Sequence, residues 1–475
     1  MYDVTIIGAG VIGSAAAYYL SQYQLKLLIL EGENDVAAGT TKANSAIIHA
    51  GYDPVPGTNE ARFNVEGSRL TKELCQKLDV PYKQNGAMVL AFSEKENEHL
   101  TKLYQRGLAN GVAELQLLDG AEARKLEPQI SDRVTGALLA PTSAIISPWE
   151  FSLALAETAV RNGAELKLSN RVEKIDRHEG FFTVTTNKGS YETRLIINAA
   201  GVYADKVAEL VAEKEFTIIP VRGQYYLLDK SQGTRCAHTL FQCPDEKGKG
   251  VLVTPTVHGN LIVGPDAENV EGENTATTAA GLAFVREKGA KSVPSIDYRE
   301  NIRNFAGVRA RVSSGDFIIS ESKSVPGLFN LAAMASPALS SAAAIGKEAC
   351  RWVLSRQDHE KKEDFIDTRK RVRFKELDPE ARNELIKKEP AYGRVICRCE
   401  TITEGEILAS LNTPIPPCSI DGVKRRTNSG MGRCQAGFCS PRVMEILERE
   451  LSKSPFDIRK NGADSQIVYG YNKKI

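Results

Sequence analysis

The chain opens on a short apolar run over residues 3–7, followed at once by a glycine-spaced turn and by Ser14-Ala-Ala-Ala-Tyr-Tyr-Leu20, a stretch of good helix formers. This order predicts strand, tight turn, helix. A second apolar run from Leu25 to Leu30 predicts the next strand. Far downstream, Phe181-Phe-Thr-Val-Thr-Thr186 alternates as a half-buried strand does, and Thr193-Arg-Leu-Ile-Ile-Asn-Ala-Ala-Gly201 reads as a buried strand ending in small residues. A third run, Leu328-Phe-Asn-Leu-Ala-Ala333, precedes Ser336-Pro-Ala-Leu-Ser340 and a small-residue helix from Ser341 to Gly346. The stretch from Arg356 to Pro390 is highly charged with little sustained apolar pattern, which predicts a connecting arm. A separate compact unit begins at Tyr392.

At 475 residues the chain should divide into two or three units. Hydrophobic residues at 42% and charged residues at 25% describe a globular protein rather than a disordered one. Lys plus Arg (61) nearly balances Asp plus Glu (60), so no global basic excess points to nucleic acid or an anionic membrane. No signal-peptide pattern opens the sequence and no apolar run reaches about 18 residues, so a cytoplasmic protein without a transmembrane helix is expected. Five of the nine cysteines, Cys75, Cys236, Cys243, Cys350 and Cys418, are scattered, as reduced thiols are, and the other four form two close pairs that suggest a metal.

The turn is Gly8-Ala-Gly10-Val-Ile-Gly13. Gly8 permits the tight turn, Gly10 lets the backbone approach a pyrophosphate, and Gly13 allows helix and strand to pack closely. Glu31 ends the second strand 18 residues after Gly13, where a carboxylate can hold ribose hydroxyls. A merely structural turn would need neither the acid nor the helix in these places.

The three separated strand segments together resemble the FAD domain of the D-amino-acid-oxidase superfamily, over residues 1 to about 355. The resemblance implies a Rossmann-like FAD-binding domain assembled from residues 1–85, 150–215 and 321–355. It also implies an α+β cap built from residues 86–149 and 216–320. The cofactor contacts it implies are Gly8, Gly10, Val11, Ile12, Gly13, Glu31, Thr40, Thr41, Asn44 and Ser45. Val172, Ala200, Gly201, Pro337, Leu339 and Ser340 complete that set. The small and hydroxyl residues from Gly39 to Ser45 can run close along a flavin, because their backbone amides stay accessible.

His49 follows in an Asn-Ser-x-x-x-His-x-Gly run similar to that of the glycerol-3-phosphate and L-2-hydroxyglutarate branches, where it carries an active-site histidine. Oxidising a carbinol is easier when the hydroxyl proton leaves too, and a neutral imidazole suits that task. A covalent flavin link or simple packing are the other readings of His49. His99, His178 and His359 are taken as structural. In the cap, Arg309 of Phe305-Ala-Gly-Val-Arg-Ala-Arg311 matches the family's substrate-side arginine, with Arg311 as the alternative, and Arg222 and His258 are further candidates. A guanidinium suits phosphate or carboxylate equally, so the sequence does not separate them.

The last unit holds Cys397-Arg-Cys399, then 34 intervening residues, then Cys434-Gln-Ala-Gly-Phe-Cys439. Four thiolates suit zinc or a 2Fe-2S cluster, but usual structural zinc sites favour Cys-x-x-Cys knuckles that neither pair provides. Disulfides are the third possibility. With Val423-Lys-Arg-Arg-Thr-Asn-Ser-Gly-Met-Gly-Arg-Cys434, residues 392–475 resemble the bacterioferritin-associated-ferredoxin-like domain, a small, mainly helical 2Fe-2S module. The whole order resembles the large subunit of the anaerobic, FAD-dependent glycerol-3-phosphate dehydrogenases.

That resemblance implies a small anionic hydroxy substrate and a redox partner protein accepting the electrons, with membrane association only through such a partner. A 2-hydroxy acid such as L-2-hydroxyglutarate is the first rival substrate, and an amine or imino acid of the proline type the second. An iron-sulfur assembly scaffold is the rival from another class.

Overall fold

Small side chains decide how the first segment packs. In a computed structural model that describes residues 1–244 and 250–473, the strand Tyr2–Ile7 turns through Gly8 into the helix Val11–Leu20. A Cβ on Gly13 would stand 1.9 Å from the carbonyl oxygen of Gly8, so only glycine lets this helix start so close to its strand.

The opening strand is central to an eight-stranded sheet and pairs in parallel with Leu27–Leu30 on one side and Gly189–Asn198 on the other. Leu328–Ala332 adds in parallel to Gly189–Asn198, so the three apolar segments of the sequence do meet in one sheet. Leu27–Leu30 and Leu328–Ala332 are buried along their whole lengths, as strands covered on both faces are. The helices Pro148–Arg161 and Ala338–Arg356 pack beside Val11–Leu20 to form the main core.

A second sheet, of nine strands, draws on both insertions. Thr239–Gln242 from the later one pairs in parallel with Ala87–Ala91 from the earlier. Its longest ladder joins Ile219–Leu228 to Asn301–Arg311, with Gly223 opposite Gly307 and Val221 opposite Arg309. One boundary differs from the expectation. Ile318–Glu321 pairs with Leu328–Ala332 and so extends the nucleotide sheet, not the cap.

The arm also differs from its sequence reading. Arg369, Arg371 and Arg373 stand at alternate positions, and they meet Glu157, Glu150 and Asp79 at 2.8, 2.8 and 2.6 Å. Glu150 and Glu157 lie on the buried helix Pro148–Arg161. Burial alone would raise the Glu150 carboxyl, but Arg371, His258 and Arg373 hold it below its ordinary value. What reads as a connecting arm is, over this part, an ion-paired strap.

The C-terminal unit has a core of its own, in which Cys397, Ile407, Val423, Cys439 and Leu447 pack together. Helices Glu404–Leu411, Ile420–Thr427 and Ser440–Leu451 surround a two-stranded sheet, Val395–Cys397 with Ile402–Thr403. Among the described residues, no helix is long and apolar enough to cross a membrane.

Candidate active site

The helix Val11–Leu20 begins at Gly10 without a side-chain cap, so its first amides face the cavity beside it. One of them, the N–H of Val11, donates to Thr41 Oγ1 at 3.0 Å. Uncapped amides at a glycine turn are an anion cradle, and this one fits the pyrophosphate of a dinucleotide. Glu31 lines the same cavity and accepts from the N–H groups of Ala9 (2.7 Å) and Glu33 (2.8 Å). Burial raises the Glu31 carboxyl although those two amides pull it down. Each of its oxygens has a second acceptor site left for a ribose hydroxyl.

The cavity has a volume of about 1360 Å³. Pockets for drug-sized ligands run to roughly 300–1,000 Å³, so a dinucleotide and a small substrate can share this one. Val172, Ala200, Gly201, Pro337 and Leu339 line it, as expected for cofactor contacts. Thr40, Asn44 and Ser45 line it too, but their side chains also hold the loop together. Thr40 Oγ1 donates to Val308 O at 2.6 Å, Asn44 Nδ2 to Thr41 O at 2.9 Å, and Ser45 Oγ lies 3.3 Å from the Tyr225 hydroxyl.

His49 faces this cavity from the end of the loop. Its N–H donates to Ser340 Oγ at 2.8 Å, and its carbonyl accepts from Asn64 Nδ2 at 2.7 Å. Its ring sits 5.5 Å from the Phe241 ring, with Nε2 at 3.5 Å from Ser336 Oγ. Backbone and ring are thus both held. Ser340, expected to touch the cofactor, is fully buried outside the cavity wall, and it acts on His49 instead.

Arg309 reaches the cavity from the cap opposite. A Cβ on Gly223 would lie 2.8 Å from its Nη2, so the glycine makes room for the guanidinium. Nη2 donates to Asp266 O at 2.9 Å, while Nε is buried with no hydrogen-bond partner among the described residues. A guanidinium at the cavity wall suits an anionic ligand.

Arg311 is exposed at the cavity edge. Arg222 does not belong to the site: it is turned to the other face of its strand, where Nη2 meets Glu268 at 2.6 Å and Nη1 donates to Ala276 O at 2.6 Å. Residues alternate across a strand, which puts Val221 and Tyr225 on the cavity face and Arg222 behind it. His258 lines the cavity, stacked on Trp149 at 5.9 Å with Nε2 at 4.0 Å from Glu150. Burial pushes its imidazole down, toward the neutral form, against the pull of Glu150.

The four clustered thiols converge in two pairs. Cys399 and Cys434 stand 3.6 Å apart, and the thiol of Cys439 bonds to Cys397, which that bond and the N–H of Gly430 hold below the ordinary thiol range. Among the described residues no group of three or more metal-ligating side chains is drawn together. Two pairs fit a two-iron cluster with two thiolates on each iron.

Sequence reasoning missed that this module also walls the cavity. Lys424, Met431 and Gln435 line it, and burial and the charge of Arg303 push the Lys424 ammonium down to about 8. It missed Phe241, Tyr225 and Ser336 as well. Ser336 alone had a signal, since it heads the Ser336-Pro-Ala-Leu-Ser340 turn of the third segment.

The family described as FAD dependent oxidoreductase (DAO) matches residues 3–352, and the BFD-like [2Fe-2S] binding domain matches residues 395–449. Over 476 aligned residues the chain is 48% identical to a glycerol 3-phosphate dehydrogenase of Caloramator mitchellensis, covering 100% of this chain and 99% of that protein. It is 33% identical over 315 residues to an L-2-hydroxyglutarate dehydrogenase of Escherichia coli O17:K52:H18, covering 65% of this chain and 71% of that one. Among solved structures, a dithionite-reduced L-alpha-glycerophosphate oxidase from Mycoplasma pneumoniae with FAD bound superposes with a TM-score of 0.74 at 34% identity. That match covers 77% of this chain and 98% of the oxidase.

Proposed function

This chain belongs to the family of FAD-dependent oxidoreductases of the DAO type and ends in a BFD-like 2Fe-2S-binding domain, and on that premise we propose that it oxidises sn-glycerol 3-phosphate to dihydroxyacetone phosphate and passes the electrons through its cluster to a partner in the cytoplasm. The observation that carries the reading is one cavity lined by His49 from the nucleotide domain, by Arg309 from the cap, and by the pyrophosphate cradle. The full-length similarity to a glycerol 3-phosphate dehydrogenase supports the choice of substrate.

Residues Gly8 to Gly13, Thr41 and Glu31 would hold FAD, which supplies the acceptor for hydride from the carbinol carbon. Cys397, Cys399, Cys434 and Cys439 would hold the cluster, which supplies one-electron exchange.

The chain's own side chains do the rest. The Arg309 guanidinium, at the cavity wall, binds the phosphate and fixes the substrate's reach into the cavity. His49 Nε2, now 3.5 Å from Ser336 Oγ, is placed to take the hydroxyl proton. Ser340 and Asn64 fix its backbone and Phe241 limits its ring, so the base does not have to be ordered when substrate arrives. The cap strand Asn301–Arg311 and Tyr225, with Phe305 stacked on it at 4.7 Å, exclude water from this side.

The test is an anaerobic screen in which glycerol 3-phosphate, L-2-hydroxyglutarate and proline are each mixed with purified holoenzyme. Rapid bleaching of the flavin band by glycerol 3-phosphate alone is expected. Bleaching by L-2-hydroxyglutarate or proline in its place would transfer the same site to that substrate, and bleaching by none would favour a scaffold role.

A further inference from the structure

Phe438 is 86% exposed, the most exposed large apolar side chain among the described residues. It sits immediately before Cys439 and four residues after Cys434, inside the segment that presents two of the four cluster thiols. A ring left in water at that position has a cost that packing does not recover.

Charge makes the place unusual a second time. Residues 394–399 and 429–443, which carry all four thiols, contain four arginines and no acid, in a chain whose net charge is only +1. Arg398, between Cys397 and Cys399, is exposed and meets no carboxylate within salt-bridge distance among the described residues. Arg442 remains 66% exposed although it touches Glu445, and Arg433 is 65% exposed where it leans on Asp229 and Glu300 of the cap. The thiols share this polarity. Cys397 and Cys439 are buried, whereas Cys399 is exposed and Cys434 half-buried, so one edge of the sulfur group faces solvent.

From this juxtaposition, and resting on the relay reading above, we infer that Phe438 with Arg398 and Arg442 forms the docking surface for a small protein that carries single electrons and presents an acidic rim around an apolar spot. The occupant is argued from charge and size. Arg394, Arg433 and Arg442 already meet Glu404, Asp229 with Glu300, and Glu445, but the exposed Arg398, in the same thiol-bearing segments as the exposed Phe438, calls for a carboxylate on the partner, and such complementarity raises encounter rate more than affinity. One ring and a few guanidiniums make a small contact, as short-lived redox encounters do, and not a permanent subunit interface. Each substrate molecule oxidised releases two electrons and two protons. Two carrier molecules must therefore dock in turn, each taking one electron, while the protons pass to solvent.

The probe is a small acidic c-type cytochrome, with a basic cytochrome c of similar size as its counterpart, each offered to the cluster-loaded holoenzyme. Calorimetry with the oxidised proteins should give a Kd for the acidic cytochrome at low salt lower by at least about tenfold than for the basic one, and the difference should shrink as ionic strength rises. Phe438→Ser and Arg398→Glu should each weaken that binding, and raise KM for the acidic cytochrome, by on the order of tenfold. Phe438→Leu should retain most of it. In all three variants the resonance signal of the reduced cluster and the rate of flavin bleaching should match wild type, which separates docking from folding.

Equal binding of the two cytochromes, or normal binding by Phe438→Ser and Arg398→Glu, would overturn the docking surface while leaving the relay intact. Phe438-dependent sedimentation with anionic phospholipid vesicles, without cytochrome binding, would hand the patch to a membrane surface. If substrate bleaches the flavin but never reduces the cluster, the relay reading falls, and the docking surface with it.

Discussion

Arg426 grips Asp35 with two parallel hydrogen bonds, Nη1 to Oδ2 and Nη2 to Oδ1, both 2.9 Å, and neither side chain is more than 3% exposed. Arg425 adds two more to Oδ2, from Nη2 at 2.7 Å and Nε at 3.0 Å. Asp35 lies four residues beyond Glu31, so the module that bears the thiols is fastened to the loop that follows this cavity-lining acid.

Asp35→Ala should therefore loosen the module, because it leaves two buried guanidiniums unpaired, a change that costs about 3–5 kcal/mol. Hydrogen exchange should rise over the helix Ile420–Thr427 while the strand Tyr2–Ile7 stays protected. The wild-type pair also has a predictable pH range. Burial raises the Asp35 carboxyl, but Arg426 and Arg425 outweigh it and hold the group below its ordinary value. The clamp is thus at full strength above about 3.9, the unfolded value, and is lost only as pH falls through the lower folded one. Module protection that fell away already near neutral pH would contradict this.

Gly13→Ala should give a protein without flavin, since the new Cβ would have to occupy a point 1.9 Å from the Gly8 carbonyl oxygen. The ratio of FAD to purified protein checks this. Stoichiometric flavin would mean that strand and helix can part without opening the cradle.

His49→Ala should slow anaerobic reduction of the flavin by glycerol 3-phosphate roughly 10² to 10⁴-fold while FAD stays bound, the scale of a lost general base. Stopped-flow spectroscopy separates the two. Ser340→Ala, which removes the acceptor of the His49 N–H, should slow the step less.

Arg309→Met should raise the apparent Kd for substrate by about 10- to 100-fold, the loss of one charge-assisted pair, with little change in the limiting rate. Arg309→Lys should recover only part, because an ammonium cannot reproduce the planar fork. Concentration series of the same reduction rates decide it.

Much of this arrangement was legible in the sequence because local chemistry dictated it. Gly8 and Gly13 fall where a tight turn and a closely packed helix need them, Glu31 lines the cavity beside them, and the spacing of Cys397, Cys399, Cys434 and Cys439 survives any fold that brings its two ends together. What the sequence hid depends on tertiary placement. The face taken by Arg222 follows from the register of one strand, and its pairing with the exposed Glu268 has no local signature. Arg369, Arg371 and Arg373 read as part of a connecting arm because their acids, Glu157, Glu150 and Asp79, lie more than 200 positions away. Lys424 lines the cavity from the helix whose Arg425 and Arg426 pair with Asp35, a contact across nearly 400 positions that no local pattern signals.

The central claim is that electrons taken from substrate at the cavity travel on to the four-thiol module. Its most direct test is to mix the oxidised holoenzyme with glycerol 3-phosphate under strict anaerobiosis and follow the flavin band and the electron paramagnetic resonance of the cluster together, in wild type and in Cys434→Ser. Wild type should lose the flavin band and then develop the signal of a reduced 2Fe-2S centre. Cys434→Ser, which replaces one thiolate by a poorer donor, should bleach its flavin at the normal rate with that signal weakened or absent. A wild-type flavin that bleaches fully while the cluster stays oxidised, or a protein that holds zinc at these thiols, would contradict the account.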